Sequence, residues 1–124
     1  MAAAVSVLPL RAGSPHPATT QLAAAAGEAQ RRLHFRACDL GVTETIPVFA
    51  KSVRDEFGAI YGLVNNAGMG TDGLLATMHN SEIEALIRLN VLSPIILTKY
   101  VARHMMADGA GRIVNISSIV ASTG

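Results

Sequence analysis

The stretch AIYGLVNNAG, residues 59–68, decides how this chain is read. Its first six residues form an apolar run of strand length, and NNAG ends that run with turn-forming residues. Gly68 permits a tight turn, while Ala67 and Gly68 carry no side chain large enough to hold off a flat ligand. The amides of Asn65 and Asn66 can bond neighbouring strands or loops. Taken alone, NNAG fits an ordinary strand-to-loop turn as well as it fits a ligand site. The flanking sequence has to choose.

Strand signals recur on both sides of it. RLHFRAC (32–38) alternates Leu33, Phe35 and Ala37 against polar neighbours and breaks at Asp39, and RIVNIS (112–117) follows the turn ADGAG. VSVLPL (5–10) is a weaker fourth candidate, because Pro9 cannot donate to an interior ladder. Helical spacing fills the gaps. TETIPVFAKSVRDEF (43–57) repeats Ile46, Phe49, Ala50, Val53 and Phe57, with Thr43 as N-cap and Pro47 in the first turn, where its missing N–H costs little. Ser81 with Glu84 three residues on reads as a capping box, opening a second helix from Glu82 to about Met106. The apolar residues of that helix cover more than one face, so it needs a second covering surface besides a sheet, such as another subunit.

The alternation predicts an α/β fold: a Rossmann-like, doubly wound parallel sheet with right-handed crossovers. Ligands of such sheets bind outside the carboxyl ends of the strands. Asp39, NNAG and Ser117–Ser118 all fall at carboxyl ends, so the chemistry is expected on one rim.

Composition narrows the partners. In 124 residues, 50% are hydrophobic, 15% charged and 4% aromatic, which suits a sheet covered on both faces by an Ala, Val, Ile and Leu core. A net charge of +1 without a basic run argues against nucleic acid. The single cysteine, Cys38, excludes an internal disulfide and a cysteine-based zinc cluster, and it reads as a small buried residue. His16, His34 and His79 show no ligand spacing to one another, so no metal is expected. Apolar stretches are interrupted by Asn, Ser or Lys, so no membrane partner is expected. Residues 1–27 lack acidic side chains but match neither a signal peptide nor a transit peptide.

Asn90 carries its own signal. Asparagine is a mediocre mid-helix residue, and four residues later Pro94 has no N–H to give the carbonyl of residue 90. A local irregularity and an unfilled Asn90 carbonyl are expected. A kink that merely fits helix packing explains the same residues.

LVNNAG, then RLNV at 88–91, then GRIVNISS at 111–118 together resemble the short-chain dehydrogenase/reductase family, particularly its bacterial 3-oxoacyl-carrier-protein reductases. The resemblance runs from about residue 33 to 124 and rests on three motifs in order, with matching elements between them. It implies an NAD(P)-dependent, cytoplasmic oxidoreductase that reduces a 3-oxoacyl thioester or related ketone to the 3-hydroxy form. It implies that Asn66, Ala67 and Gly68 face the cofactor ribose while Asn65 braces the sheet. Asp39 and Leu40 would flank the adenine, the carboxylate accepting from its amino group. Ser118 matches the catalytic serine, and the main-chain carbonyl of Asn90 would hold a water of the proton relay. A full-length protein would pair with copies of itself through the 82–106 helix.

Two parts of the family pattern are missing. No Gly-x-x-x-Gly-x-Gly turn occurs in residues 1–30, and no Tyr-x-x-x-Lys follows Ser118; Tyr100 and His104 echo that spacing on the wrong helix. Residues 28–124 therefore read as a partial Rossmann-type domain, and residues 1–27 as a segment without a clear fold. Aligned as a second family strand, residues 5–10 would put Arg11 where a 2′-phosphate is chosen. In the family's sheet the first strand lies beside the fourth, so AIYGLV is expected to show an open edge, and the chain alone to be marginally stable and poor at binding dinucleotide. The alternative is a non-catalytic short form that docks on a full-length homologue through the 82–106 helix.

Overall fold

Residues 3–7, 24 and 34–118 are described by the computed structural model of the chain. They form a three-stranded parallel sheet in the order β1 (Ala3–Val7), β2 (Ile60–Asn65), β3 (Arg112–Asn115). Ile60 and Leu63 lie three apart in β2, yet both enter the same core, which a regular strand with its period of two forbids. The register explains it: Ala3 pairs with Ile60 but Ala4 with Gly62, so Tyr61 is an extra residue. This β-bulge turns Tyr61 outward and brings Ile60 and Leu63 onto one face.

That face is covered by α1 (Ile46–Phe57) and α3 (Ser93–Asp108). Ile46, Ala50 and Val53 from α1 meet Leu97, Val101 and Met105 from α3 over Ile60 and Leu63. Leu63 and Leu97 are 0% and 1% exposed, and burial of each is worth about 1.5–3 kcal/mol. Arg54 ties the far ends of the two helices together, donating to both carboxylate oxygens of Asp108.

Several expected boundaries shift for identifiable reasons. Thr43 is not the cap of an α-helix: Thr43–Thr45 form a single 3₁₀ turn, and α1 starts at Ile46. Pro47 has no N–H for the Thr43 carbonyl, so Ile46 N–H takes it instead, one residue short of the α spacing. The second helix opens at Asn80, not Glu82. Its box is closed by Glu82, whose carboxylate accepts the His79 N–H at 3.1 Å, rather than by Ser81 and Glu84. It runs as α2 (Asn80–Ile87), a π-helical segment (Arg88–Leu92) and α3, and stops at Gly109, whose φ of 72° closes the C-terminus. This 29-residue stretch is long and apolar enough, by length and composition alone, to cross a membrane, but its buried row packs on the sheet.

The strand expected over 32–38 is not present in its described part, residues 34–38. The edge of β2 that was expected to stay open is taken by β1, so this segment is left without a ladder partner among the described residues. Its alternation does not become a burial pattern either: residues 34–37 are all exposed, and the contacts are made by the polar members, the His34 ring 4.6 Å from that of Phe57 and the Arg36 guanidinium 5.6 Å from it, with Arg36 also paired to Glu56. Without a ladder to fix register, the aromatic end of α1 and the Glu56 carboxylate select the polar face of the segment. Leu33, Pro9 and Arg11 lie outside the described residues.

Candidate functional site at the carboxyl rim of the sheet

Parallel β2 and β3 end level, with Asn65 opposite Asn115. Asn65 Nδ2 donates to Asn115 Oδ1 at 2.7 Å and to Thr98 Oγ1 of α3 at 3.0 Å. Ile116 N–H adds a bond to the Asn65 carbonyl at 2.9 Å. One side chain thus binds both strand tips to the covering helix. Asn115 and Thr98 were not singled out in the sequence, although Asn115 directly follows the apolar pair Ile113–Val114, which is a usable signal.

Beyond Asn65 the chain leaves the sheet through Asn66, exposed, and Ala67, which packs against the core. Gly68 does not have a positive φ, so its need for glycine is not a turn. It is a close approach: a Cβ there would sit 3.3 Å from Asn90 Oδ1. Asn90 reaches the next residue with both ends of its amide, Oδ1 accepting from Met69 N–H at 2.9 Å and Nδ2 donating to the Met69 carbonyl at 2.8 Å. The irregularity expected from Pro94 is the π-helical segment at whose centre Asn90 stands. A side-chain amide held this way acts as a clamp on the loop after β2, a role the sequence did not reveal.

Asp39 is exposed and fixes its own turn. Its Oδ1 accepts from Gly41 N–H at 2.8 Å and its carbonyl from Val42 N–H at 3.2 Å, leaving the other carboxylate oxygen to accept elsewhere. Leu40 is buried, with 6% exposure, so a ligand meets its backbone more than its side chain. Its carbonyl accepts from Ser93 Oγ at 2.5 Å. Next to this turn Cys38 is half-buried, and desolvation raises its thiol pKa above the ordinary value, which leaves it a poor nucleophile at neutral pH.

The contacts make one chain of hydrogen bonds and adjacent residues. It runs from Asn115 to Asn65, along residues 65–69 to Asn90, through the π-helical segment to Ser93, and across to Leu40 and Asp39. Ser118 is exposed and stands three residues past the end of β3. Tyr100 is elsewhere: it lines a groove between α1 and α3 with Pro47, Lys51, Arg103 and His104, beneath Lys99. Tyr61 is the bulged residue of β2.

A family model described as short chain dehydrogenase matches residues 8–124. The chain belongs to the short-chain dehydrogenase family. Among its relatives, the 3-oxoacyl-acyl-carrier-protein reductase FabG of Vibrio cholerae is 41% identical over 81 residues, 65% of this chain and 33% of the relative. This chain therefore spans about a third of the length of the curated relatives it matches. A metagenomic short-chain oxidoreductase in complex with NADP superimposes with a TM-score of 0.76 at 33% identity, covering 94% of this chain and 51% of that one. ElxO with NADP bound gives 0.72 at 29% identity, over 85% of this chain and 43% of its own.

Proposed function

We propose that this chain supplies the cofactor rim and the serine of an NAD(P)-dependent reductase that converts a 3-oxoacyl thioester, or a related ketone, to the 3-hydroxy form. The observation that carries the reading is the hydrogen-bonded path along the rim, which joins the residue 66–68 loop, Asn90 and Asp39 to the strand tip from which Ser118 extends. The residues suit a dinucleotide. Ala67 and Gly68 let a ribose approach the backbone, Asn66 is exposed beside them, and Asp39 has a carboxylate oxygen to spare for an adenine amino group. NADP is the better-supported cofactor, since both similar structures hold it.

The bound dinucleotide supplies the hydride. The chain's own residues then handle the oxygen. As the carbonyl carbon receives hydride, its π pair moves to oxygen, and the Ser118 hydroxyl donates a hydrogen bond to that developing charge. A proton must complete the hydroxyl. The resemblance assigns that proton to the tyrosine of the family's Tyr-x-x-x-Lys motif, with the lysine beside it, and assigns to the Asn90 carbonyl the water that refills the relay. The Asn90 side chain serves the same end by holding the loop that carries Gly68 and Met69.

Kinetics of the full-length protein with an acetoacetyl thioester and NADPH test this. Ser118→Ala lowers kcat with little change in cofactor affinity, and equal loss of both would make Ser118 structural. Asp39→Ala weakens cofactor binding, and an unchanged Kd defeats the adenine assignment.

The exposed row Ile87, Val91 and Ile95, at 56%, 47% and 62%, supports pairing with a second copy through this helix. The same row supports the alternative, a non-catalytic form docking on a full-length homologue. Co-purification on co-expression, together with absent turnover by the full-length protein, would favour that alternative.

A further inference from the structure

Ser93 is the one buried polar side chain among the described residues, with 0% exposure. Its Oγ lies 2.5 Å from the Leu40 carbonyl and 2.7 Å from the Arg88 carbonyl. Both partners are pure acceptors, so the single hydroxyl proton is shared between them. Each contact reaches a different part of the rim. Arg88 begins the π-helical segment that presents Asn90, and its carbonyl also receives the Ser93 backbone N–H. Leu40 follows Asp39, in a turn whose other side-chain bonds are all local: Gly41 N–H to Asp39 Oδ1, and Thr45 Oγ1 to the carbonyls of Val42 and Asp39. Among the described residues, the Ser93 hydroxyl is thus the only side-chain hydrogen bond that fastens the Asp39 turn to the helix bearing Asn90.

We infer that Ser93 is a positioning residue for the dinucleotide site, holding the adenine-side turn at Asp39–Leu40 in fixed relation to the Asn90 clamp. The inference rests on the proposed reading of Asp39. Without the hydroxyl, a buried carbonyl loses its donor and the turn is held to α3 by packing alone. A ligand that touches both Asp39 and the residue 66–68 loop must then supply the ordering that Ser93 supplied before it bound. A ligand that touches only the nicotinamide side is indifferent to Ser93.

The full-length protein tests this with two reductants, NADPH and the truncated reduced nicotinamide mononucleotide, which lacks the adenosine half. In Ser93→Ala the Kd for NADPH rises about five- to thirtyfold, the expectation for one hydrogen bond to a buried acceptor. The kcat/KM with the truncated reductant stays within about twofold, and the double variant with Asp39→Ala costs less than the two singles summed. Equal losses with both reductants would make Ser93 a general packing residue and overturn the inference. An unchanged NADPH Kd in Ser93→Ala, while the parent protein binds, sinks this inference alone; no binding by the parent sinks the proposed function and this inference with it. Ser93→Cys keeps the volume with a weak donor, and if Ser93→Ala does not fold it carries the same comparison.

Discussion

The Asn65 side-chain amide donates to Asn115 Oδ1 at 2.7 Å, across the tips of two parallel strands. Asn65 has a second bond to Thr98 Oγ1, whereas among the described residues the Asn115 side chain has only the first. Asn65→Ala should therefore cost more stability than Asn115→Ala, about 1–3 kcal/mol against about 0.5–1.5 kcal/mol. Urea denaturation of the full-length protein checks the order. A double variant no worse than Asn65→Ala alone would confirm that the Asn115 side chain acts through Asn65.

Gly111 is held by Met105. A Cβ built on Gly111 would lie 2.7 Å from Met105 Cβ and 2.5 Å from its Cγ, so the clash is with the stem of the side chain and rotation of its tip does not relieve it. Met105 is itself in the core. Gly111→Ala should cost about 1–3 kcal/mol by overpacking. Combined with Met105→Ala it should cost less than the two single losses summed, because the Cγ and Sδ contacts are then gone, which thermal melts of the two singles and the double can test.

The fold was legible where the local pattern was enforced by burial. Leu97, Val101 and Met105 follow helical spacing and bury it, and LVNN delivers its asparagines to the strand tip as expected. It was not legible where tertiary competition decides. Leu33, Phe35 and Ala37 alternate like a strand, but β1 occupies the β2 edge, and Phe57 with Glu56 recruits His34 and Arg36 instead. The Tyr61 bulge is not visible in the hydrophobic pattern, since an unbroken apolar run such as AIYGLV does not say which residues share a face. Pro94 announced a disturbed helix around Asn90, but not its π-helical form nor the grip of the Asn90 amide on Met69. Ser93 passed unnoticed because a serine in an apolar helix says nothing about which carbonyl it will meet.

Asp108 should give the protein an acid-sensitive component of stability. Arg54, hydrogen-bonded to both of its oxygens, holds the Asp108 carboxyl below its ordinary value of 3.8. A carboxylate with a depressed folded-state pKa contributes stability that is fully present above the unfolded value and lost as pH falls through the folded one. Melting temperature should therefore drop as pH is lowered below about 4, with this part of the drop absent in Asp108→Asn. An acid slope identical in parent and variant would show that the pair contributes nothing to it. The same pair shifts Arg54 upward, away from the pH range in which the fold would be tested.

The Asn90 clamp makes a prediction that does not need turnover. Met69 is an exposed residue whose N–H bonds Asn90 Oδ1, so its hydrogen exchange reports the clamp. In Asn90→Ala that amide should exchange about tenfold faster or more, because both bonds to Met69 are gone. Gly68→Ala should act more mildly: its Cβ meets Asn90 Oδ1 at 3.3 Å, close enough to displace the amide by a few tenths of an ångström without removing it. If the loop matters to the reaction, kcat should fall in the same order, by at least about tenfold in Asn90→Ala and less in Gly68→Ala. Unchanged exchange at Met69 in Asn90→Ala would show that the loop holds itself. A loss of kcat in that variant would then belong to the helix backbone around residue 90 and not to its side chain.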